Sequence, residues 1–134
     1  MVKCYNVKAS RKEATARAVI KPGAGNVRIN NKAIDVFCNG IRKQLVLEAS
    51  YVAEDEFNKF DYFITVKGGG VMSQLQSARN CIAKGLLLAN GNKKALREKL
   101  LAYDRNLLVD DVRQVEPKKQ LGKGARKKKQ HSKR

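Results

Sequence analysis

The run Val66-Lys67-Gly68-Gly69-Gly70 stands directly before a stretch with helical spacing of apolar residues. Glycines let backbone N–H groups approach phosphate, and a helix start favours an anion, so nucleotide chemistry is the first possibility to test. No Gly-Lys-Ser or Gly-Lys-Thr follows, and the Gly-x-Gly-x-x-Gly spacing is absent, which removes both phosphate-loop fingerprints. A tight strand-to-helix turn and close packing of an RNA backbone then stand ahead of nucleotide cleavage. Asp110 and Asp111 are adjacent but have no third ligand or histidine near them, so a loop charge or an ion-pair partner for Arg113 is the simpler reading. Glu54, Asp55 and Glu56 read as a helix surface. Cys4, Cys38 and Cys81 lie far apart with no Cys-x-x-Cys pair, and the one histidine, His131, sits among lysines. Neither a metal site nor a Ser-His-Asp or Cys-His arrangement can be built from them. The chain is expected to be no enzyme and to hold no cofactor or metal.

What the sequence offers instead is positive charge. The formal charge is +17 over 134 residues, far beyond what solubility needs, and it calls for a polyanionic partner. Residues 1–32 hold eight basic side chains and one acidic, residues 33–116 twelve and eleven, and residues 117–134 nine and none. Arg11, Lys12, Arg17, Lys21 and Arg28 could therefore line one RNA-facing surface, and about eight phosphate contacts would account for the bias of this first segment. The four Tyr and four Phe sit mostly at core-like positions, so phosphate and shape recognition is expected over base stacking. A membrane is the weaker partner. No apolar run reaches the roughly 18 residues of a spanning helix, and Met1-Val2-Lys3-Cys4 lacks the apolar stretch of a signal peptide. A cytoplasmic protein is expected, and an odd number of thiols fits a reducing compartment. A chromatin-like protein would need no more than a basic tail, so charge alone leaves that alternative open.

These cations need a scaffold, and 134 residues suffice for one domain. Val2 to Val7 and Ala14 to Ile20 have strand-like composition, Pro22-Gly23-Ala24-Gly25 supplies a turn, and Val27 and Ile29 alternate with Arg28 and Asn30. A short antiparallel meander is the economical reading. Ile34 to Glu56 looks helical in pieces, interrupted at Gly40. Phe60, Tyr62, Ile64 and Val66 alternate with Asp61, Phe63, Thr65 and Lys67, giving a strand with one apolar face and a partly apolar second face. Beyond the glycines, Val71, Leu75, Ala78, Ile82, Leu86 and Ala89 fall on one helical stripe, which Asn90-Gly91-Asn92 ends. Leu96, Leu100 and Tyr103 mark a second helix beginning near Lys93. From Pro117 onward Leu121 is the single large aliphatic residue, too little burial to offset chain entropy. The expected division is a globular RNA-binding body at 1–116 and a basic tail at 117–134. Extended at roughly 3.5 Å per residue, that tail could reach about 60 Å.

Several segments also stand in the order and spacing of one known family. They are Arg11-Lys12-Glu13-Ala14-Thr15-Ala16-Arg17-Ala18, Lys21-Pro22-Gly23-Ala24-Gly25-Asn26-Val27-Arg28-Ile29-Asn30, and Val66 to Gly70 with Gln74, Ala78 and Arg79. Tyr103-Asp104-Arg105-Asn106-Leu107-Leu108-Val109, Arg113, Glu116-Pro117-Lys118-Lys119 and Ser132-Lys133-Arg134 complete the set. Over nearly the whole chain they resemble the ninth protein of the small ribosomal subunit, in its archaeal and eukaryotic form. Departures fall at Ala9-Ser10, Val112 and His131.

The resemblance implies an α+β fold, a small single domain like the second domain of the fifth small-subunit protein, with an extended basic C-terminal tail. It implies an antiparallel-rich sheet with helices and a left-handed β-α-β crossover, a hand that runs against the general rule. It further implies a structural constituent of the subunit head, bound to ribosomal RNA among neighbouring head proteins, with the tail reaching the anticodon stem-loop of peptidyl-site transfer RNA. Arg11, Lys12, Lys67, Gly68, Gly69, Gly70, Arg79, Arg105 and Arg113 match motif positions with ribosomal RNA or structural roles. With Arg17, Lys21 and Arg28, and with Lys118, Lys119, Lys123, Arg126, Lys127, Lys128 and Lys129 of the tail, they form the expected ribosomal RNA set. Lys133 and Arg134 are the residues expected at the transfer RNA.

Overall fold

The computed structural model describes residues 3–129 and residue 132. Alternation of small and polar residues builds its first hairpin. Strands β1 (Tyr5–Arg11) and β2 (Ala14–Pro22) pair antiparallel with Arg11 opposite Ala14, which leaves Lys12 and Glu13 as the turn. Three further strands follow, β3 (Val27–Ile29), β4 (Lys32–Ala33) and β5 (Phe60–Lys67). The sheet order is β1-β2-β5-β3-β4, with β3 parallel to β5 and the other pairs antiparallel.

This corrects the meander expected from the sequence, because β5 enters between β2 and β3. The turn after Pro22 is built on β5 rather than folded back on β2. Asp61 accepts hydrogen bonds from the N–H groups of Ala24 at 3.0 Å and Asn26 at 2.9 Å, while Gly23 and Gly25 donate to the carbonyls of Lys59 and Phe60. Alternation of period two tells which face a side chain takes, but it does not name the neighbouring strand.

Between β4 and β5 the chain makes four short helices, α1 (Ile34–Phe37), α2 (Ile41–Val46), α3 (Glu48–Val52) and α4 (Glu54–Phe57). The break at Gly40, with φ +55°, stands where the sequence places it. Helix α5 (Val71–Ala89) then crosses one face of the sheet, packing on β1, β2 and β5. Close approach is possible because β2 presents Ala14, Ala16 and Ala18 and α5 presents Gly85. A Cβ at Gly85 would stand 2.1 Å from Cδ1 of Ile20. The buried stripe of α5 comprises Leu75, Ala78, Ile82 and Leu86 together with Cys81 and Ala83. Val71, read as the start of that stripe, is exposed instead, at the first residue of the helix. The Cys81 thiol lies 3.3 Å from the Ala16 carbonyl, and burial pushes its pKa up to about 12, so it is an inert core group.

Helix α6 (Lys94–Tyr103) buries Leu96 and Leu100 and leaves Tyr103 exposed. A 3₁₀ turn at Arg105–Leu107 follows, with the Asn106 N–H donating to Asp104 Oδ1 at 2.8 Å. Residues 112–121 are exposed, and beyond them Gly122 and Lys128 form one antiparallel bridge. The whole is a small α+β domain around a mixed five-stranded sheet.

Tyr62 lies at its centre, fully buried, its ring stacked on Phe57 at 4.6 Å between centroids. Its hydroxyl has no hydrogen-bond partner among the described residues, and burial holds the phenol pKa far above its ordinary value. A buried unmet donor costs stability, so Tyr62→Phe is expected to raise the unfolding free energy by about 1 kcal/mol in urea titration. A loss of similar size would show that the hydroxyl has a partner after all.

Candidate nucleic-acid interface

With α5 over one face of the sheet, the side chains that alternate away from it form the other face. The strand register aligns them in rows. Lys8 on β1 stands opposite Arg17 on β2, which stands opposite Thr65 on β5. One step along, Asn6, Val19, Phe63 and Arg28 form a row across β1, β2, β5 and β3. Thr15 pairs with Lys67, and Lys21 with Asp61, at the two ends. Lys8, Arg17, Lys21, Arg28 and Lys67 are all exposed, and none forms an ion pair among the described residues.

Asp61 is the acidic member of this face, and it is engaged in the turn. Burial raises its pKa, but the N–H groups of Asn26 and Ala24, the Asn26 amide and the Arg28 charge together bring it below the ordinary carboxylate value. It therefore stays ionised, one negative charge against the five cations of this face. Five like charges gathered on one face against a single internal counter-charge attract an external polyanion.

Two members of this face were missed in the sequence. Lys8 was passed over because its strand carried no turn or motif around it, although its place opposite Arg17 is what the alternation of β1 allows. Phe63 is 38% exposed, and it could have been found as the one aromatic on the polar side of β5.

The glycines beside this face have an internal explanation. Gly68 and Gly69 take φ of +76° and +63°, and Cβ atoms there would stand 2.7 Å from the Glu13 carbonyl oxygen and 2.8 Å from the Ala14 nitrogen. The turn between β1 and β2 thus packs directly on the strand-to-helix turn. Gly70, at the start of α5, faces open space, next to a cavity of about 280 Å³ lined by Lys12, Glu13, Ser73, Gln114 and Val115. Lys12 itself holds a φ of 53° in the turn and is exposed.

Three arginines of the expected set lie apart from the sheet face and pair with carboxylates. Arg79 Nη2 bridges Asp104 Oδ2 at 2.6 Å and Glu48, with its side chain 11% exposed. Arg11 lies 3.0 Å from Asp111 and donates from Nε to Gln76 Oε1 at 3.0 Å. Arg113 also holds Asp111, which Arg113 and Arg11 keep strongly acidic, and Asp110 pairs with Lys84 at 2.8 Å. For Arg11 and Arg79 this geometry supplies the structural role. Arg105 is exposed, as are Lys118, Lys119, Lys123, Lys127, Lys128 and Lys129, while Arg126 is exposed but paired with Glu116 at 2.6 Å. Lys133 and Arg134 lie outside the described residues. Among the described residues no group of histidine, cysteine and carboxylate side chains could hold a metal, and no helix is long and apolar enough to cross a membrane.

The family model described as ribosomal protein S9/S16 matches residues 9–134. The chain belongs to that family. It is also 41% identical over 131 residues to a protein named small ribosomal subunit protein uS9 from Methanothrix thermoacetophila, covering 98% of both chains. Proteins of the same name from strains of Methanococcus maripaludis are 38% identical over 133 residues, again with 98% of each chain covered. As an S9/S16 family member the chain is a ribosomal protein and not an enzyme. The match runs from within β1 through the rest of the sheet, α5 and the basic segment after Pro117.

Proposed function

We propose that the chain is a structural constituent of the small ribosomal subunit, binding ribosomal RNA with its open sheet face and its C-terminal cations. The observation that carries this reading is the cluster of exposed cations Lys8, Arg17, Lys21, Arg28 and Lys67, none in an ion pair among the described residues, on one open sheet face. Lys12 and Gly70 extend that surface at one end, and Arg105 and Arg113 supply further phosphate contacts. The body sits in the subunit head with neighbouring proteins, folded like the second domain of the fifth small-subunit protein, its β3-to-β5 crossover left-handed. Residues 117–134 act as an extended tail, with Lys118, Lys119, Lys123, Arg126, Lys127, Lys128 and Lys129 on ribosomal RNA. Its place of work is the cytoplasmic ribosome. Co-sedimentation is the test: retention on small subunits through a high-salt wash supports the reading, and distribution along DNA rejects it.

The tail's last cations, Lys133 and Arg134, contact the anticodon stem-loop of peptidyl-site transfer RNA. Cations on phosphate discriminate little between sequences, so ending the chain after Ser132 should weaken different transfer RNAs by similar factors. At about 0.7 kcal/mol per contact the loss is roughly tenfold. Arg134 should matter more than Lys133, since its planar fork holds phosphate by two hydrogen bonds. Filter binding of several transfer RNAs to subunits carrying the shortened chain measures this. Equal affinity for shortened and intact subunits would remove the transfer RNA role.

A further inference from the structure

Phe63 sits in the middle of the cationic face, on the strand with neighbours on both sides. Its cross-strand partners are Val19 on β2 and Arg28 on β3, and Thr65 and Asp61 lie two residues either way on its own strand. Phe63 is 38% and Val19 37% exposed, so a small apolar platform lies open on a surface otherwise made of cations, short polar groups and the turn-bound Asp61. The Lys21 ammonium stands over the Phe63 ring, 5.5 Å from its centroid. That contact identifies the ring face as reachable by a ligand from the solvent side and as rich in the electron density that attracts cations. Core packing does not require an aromatic here, because the core side of β5 is filled by Tyr62, Ile64 and Val66.

A flat apolar surface ringed by cations fits one chemical class well. An unpaired nucleobase offers a π-face to the ring and carries phosphates on either side, and Arg17 and Lys21 flank Val19 on β2 while Arg28 pairs with Phe63 on β3. A double helix keeps its bases stacked inward and offers the ring nothing, and an apolar protein segment would leave those cations without a counter-charge. We propose that Phe63 is a stacking platform for an unpaired base of single-stranded RNA, with Lys21 moving from the ring to a flanking phosphate as the base arrives. This rests on the RNA-binding reading and names the kind of RNA that the sheet face takes.

The test uses the full chain, a short single-stranded RNA of mixed sequence and the same sequence annealed into a duplex. The protein contains no tryptophan, so Phe63→Trp introduces a sole indole emitter on the platform. Its emission should be quenched by the single strand and hardly changed by the duplex. Base stacking on an aromatic is of a size that makes Phe63→Leu cost about tenfold in affinity for the single strand. Duplex affinity should be unchanged, and Phe63→Tyr, which keeps the ring, should bind as the parent does. Circular dichroism of each variant separates loss of the ring from loss of the fold. Equal single-strand affinity for Phe63→Leu and the parent overturns the platform, as does unquenched emission from Phe63→Trp while both RNAs still bind with steep salt dependence. Failure of the parent itself to bind either RNA would overturn the RNA-binding reading, and the platform with it.

Discussion

Ending the chain at Pro117 is expected to flatten the log–log dependence of ribosomal RNA affinity on salt by about five to six units, from the seven tail cations placed on ribosomal RNA. The deletion removes nine cations and no acid. Each lysine or arginine seated on phosphate releases close to one condensed counterion, so the slope counts seated cations directly. Over a fourfold rise in salt such a difference amounts to a factor of about 10³ in affinity. The described tail cations are exposed and free to make these contacts, with one exception. Arg126 is held by Glu116, but this is a solvent-exposed pair, 85% and 53% open at the two side chains, whose exchange for phosphate costs little. Titration of fluorescent ribosomal RNA at several salt concentrations measures the slope. A slope that does not change would leave the sheet face as the whole of the binding surface.

What could be read in the sequence follows a physical division between local and distant interactions. Helix α5 was legible because its stripe of Leu75, Ala78, Ile82 and Leu86 depends on the spacing within one segment. The pairing of Asp111 with Arg113 was legible for the same reason, two residues apart in sequence. Its second partner, Arg11, was not, since nothing local to either residue announces a contact between the first strand and the segment after α6. The same limit hid the place of β5. Arg17, Lys21 and Arg28 share one face, but Arg28 is not on a strand next to β2 as a meander would place it; the strand that joins Lys21 and Arg28 into one surface is β5, which also carries Phe63 and Lys67. Phe63 was left ambiguous because its strand has apolar residues on both faces.

Replacing Arg79 by alanine is expected to cost roughly 3 kcal/mol of folding stability, toward the low end for breaking a buried ion pair. The guanidinium is 11% exposed and ties Glu48, at the start of α3, to Asp104, at the end of α6, from its own place on α5. Removing it leaves two largely covered carboxylates facing the same gap without compensation. Burial alone would raise the pKa of Asp104, but the Asn106 N–H and then the Arg79 hydrogen bond and charge outweigh it and hold the value below the ordinary one. A folded-state pKa that is lowered gives stability that is present above the unfolded value near 4 and is lost as pH falls through the folded value. The parent should therefore weaken as pH falls below about 4, and Arg79→Ala should show a shallower loss over that range because part of the stabilisation is already gone. Arg79→Lys should recover part of the deficit by restoring the charge without the planar fork. Urea unfolding across pH, compared with RNA affinity of the folded fraction, separates the two roles that an arginine at this position can have. Lower stability with unchanged affinity per folded molecule assigns Arg79 to the scaffold, whereas unchanged unfolding with weakened affinity would make it an RNA contact and would require its carboxylate partners to release it on binding.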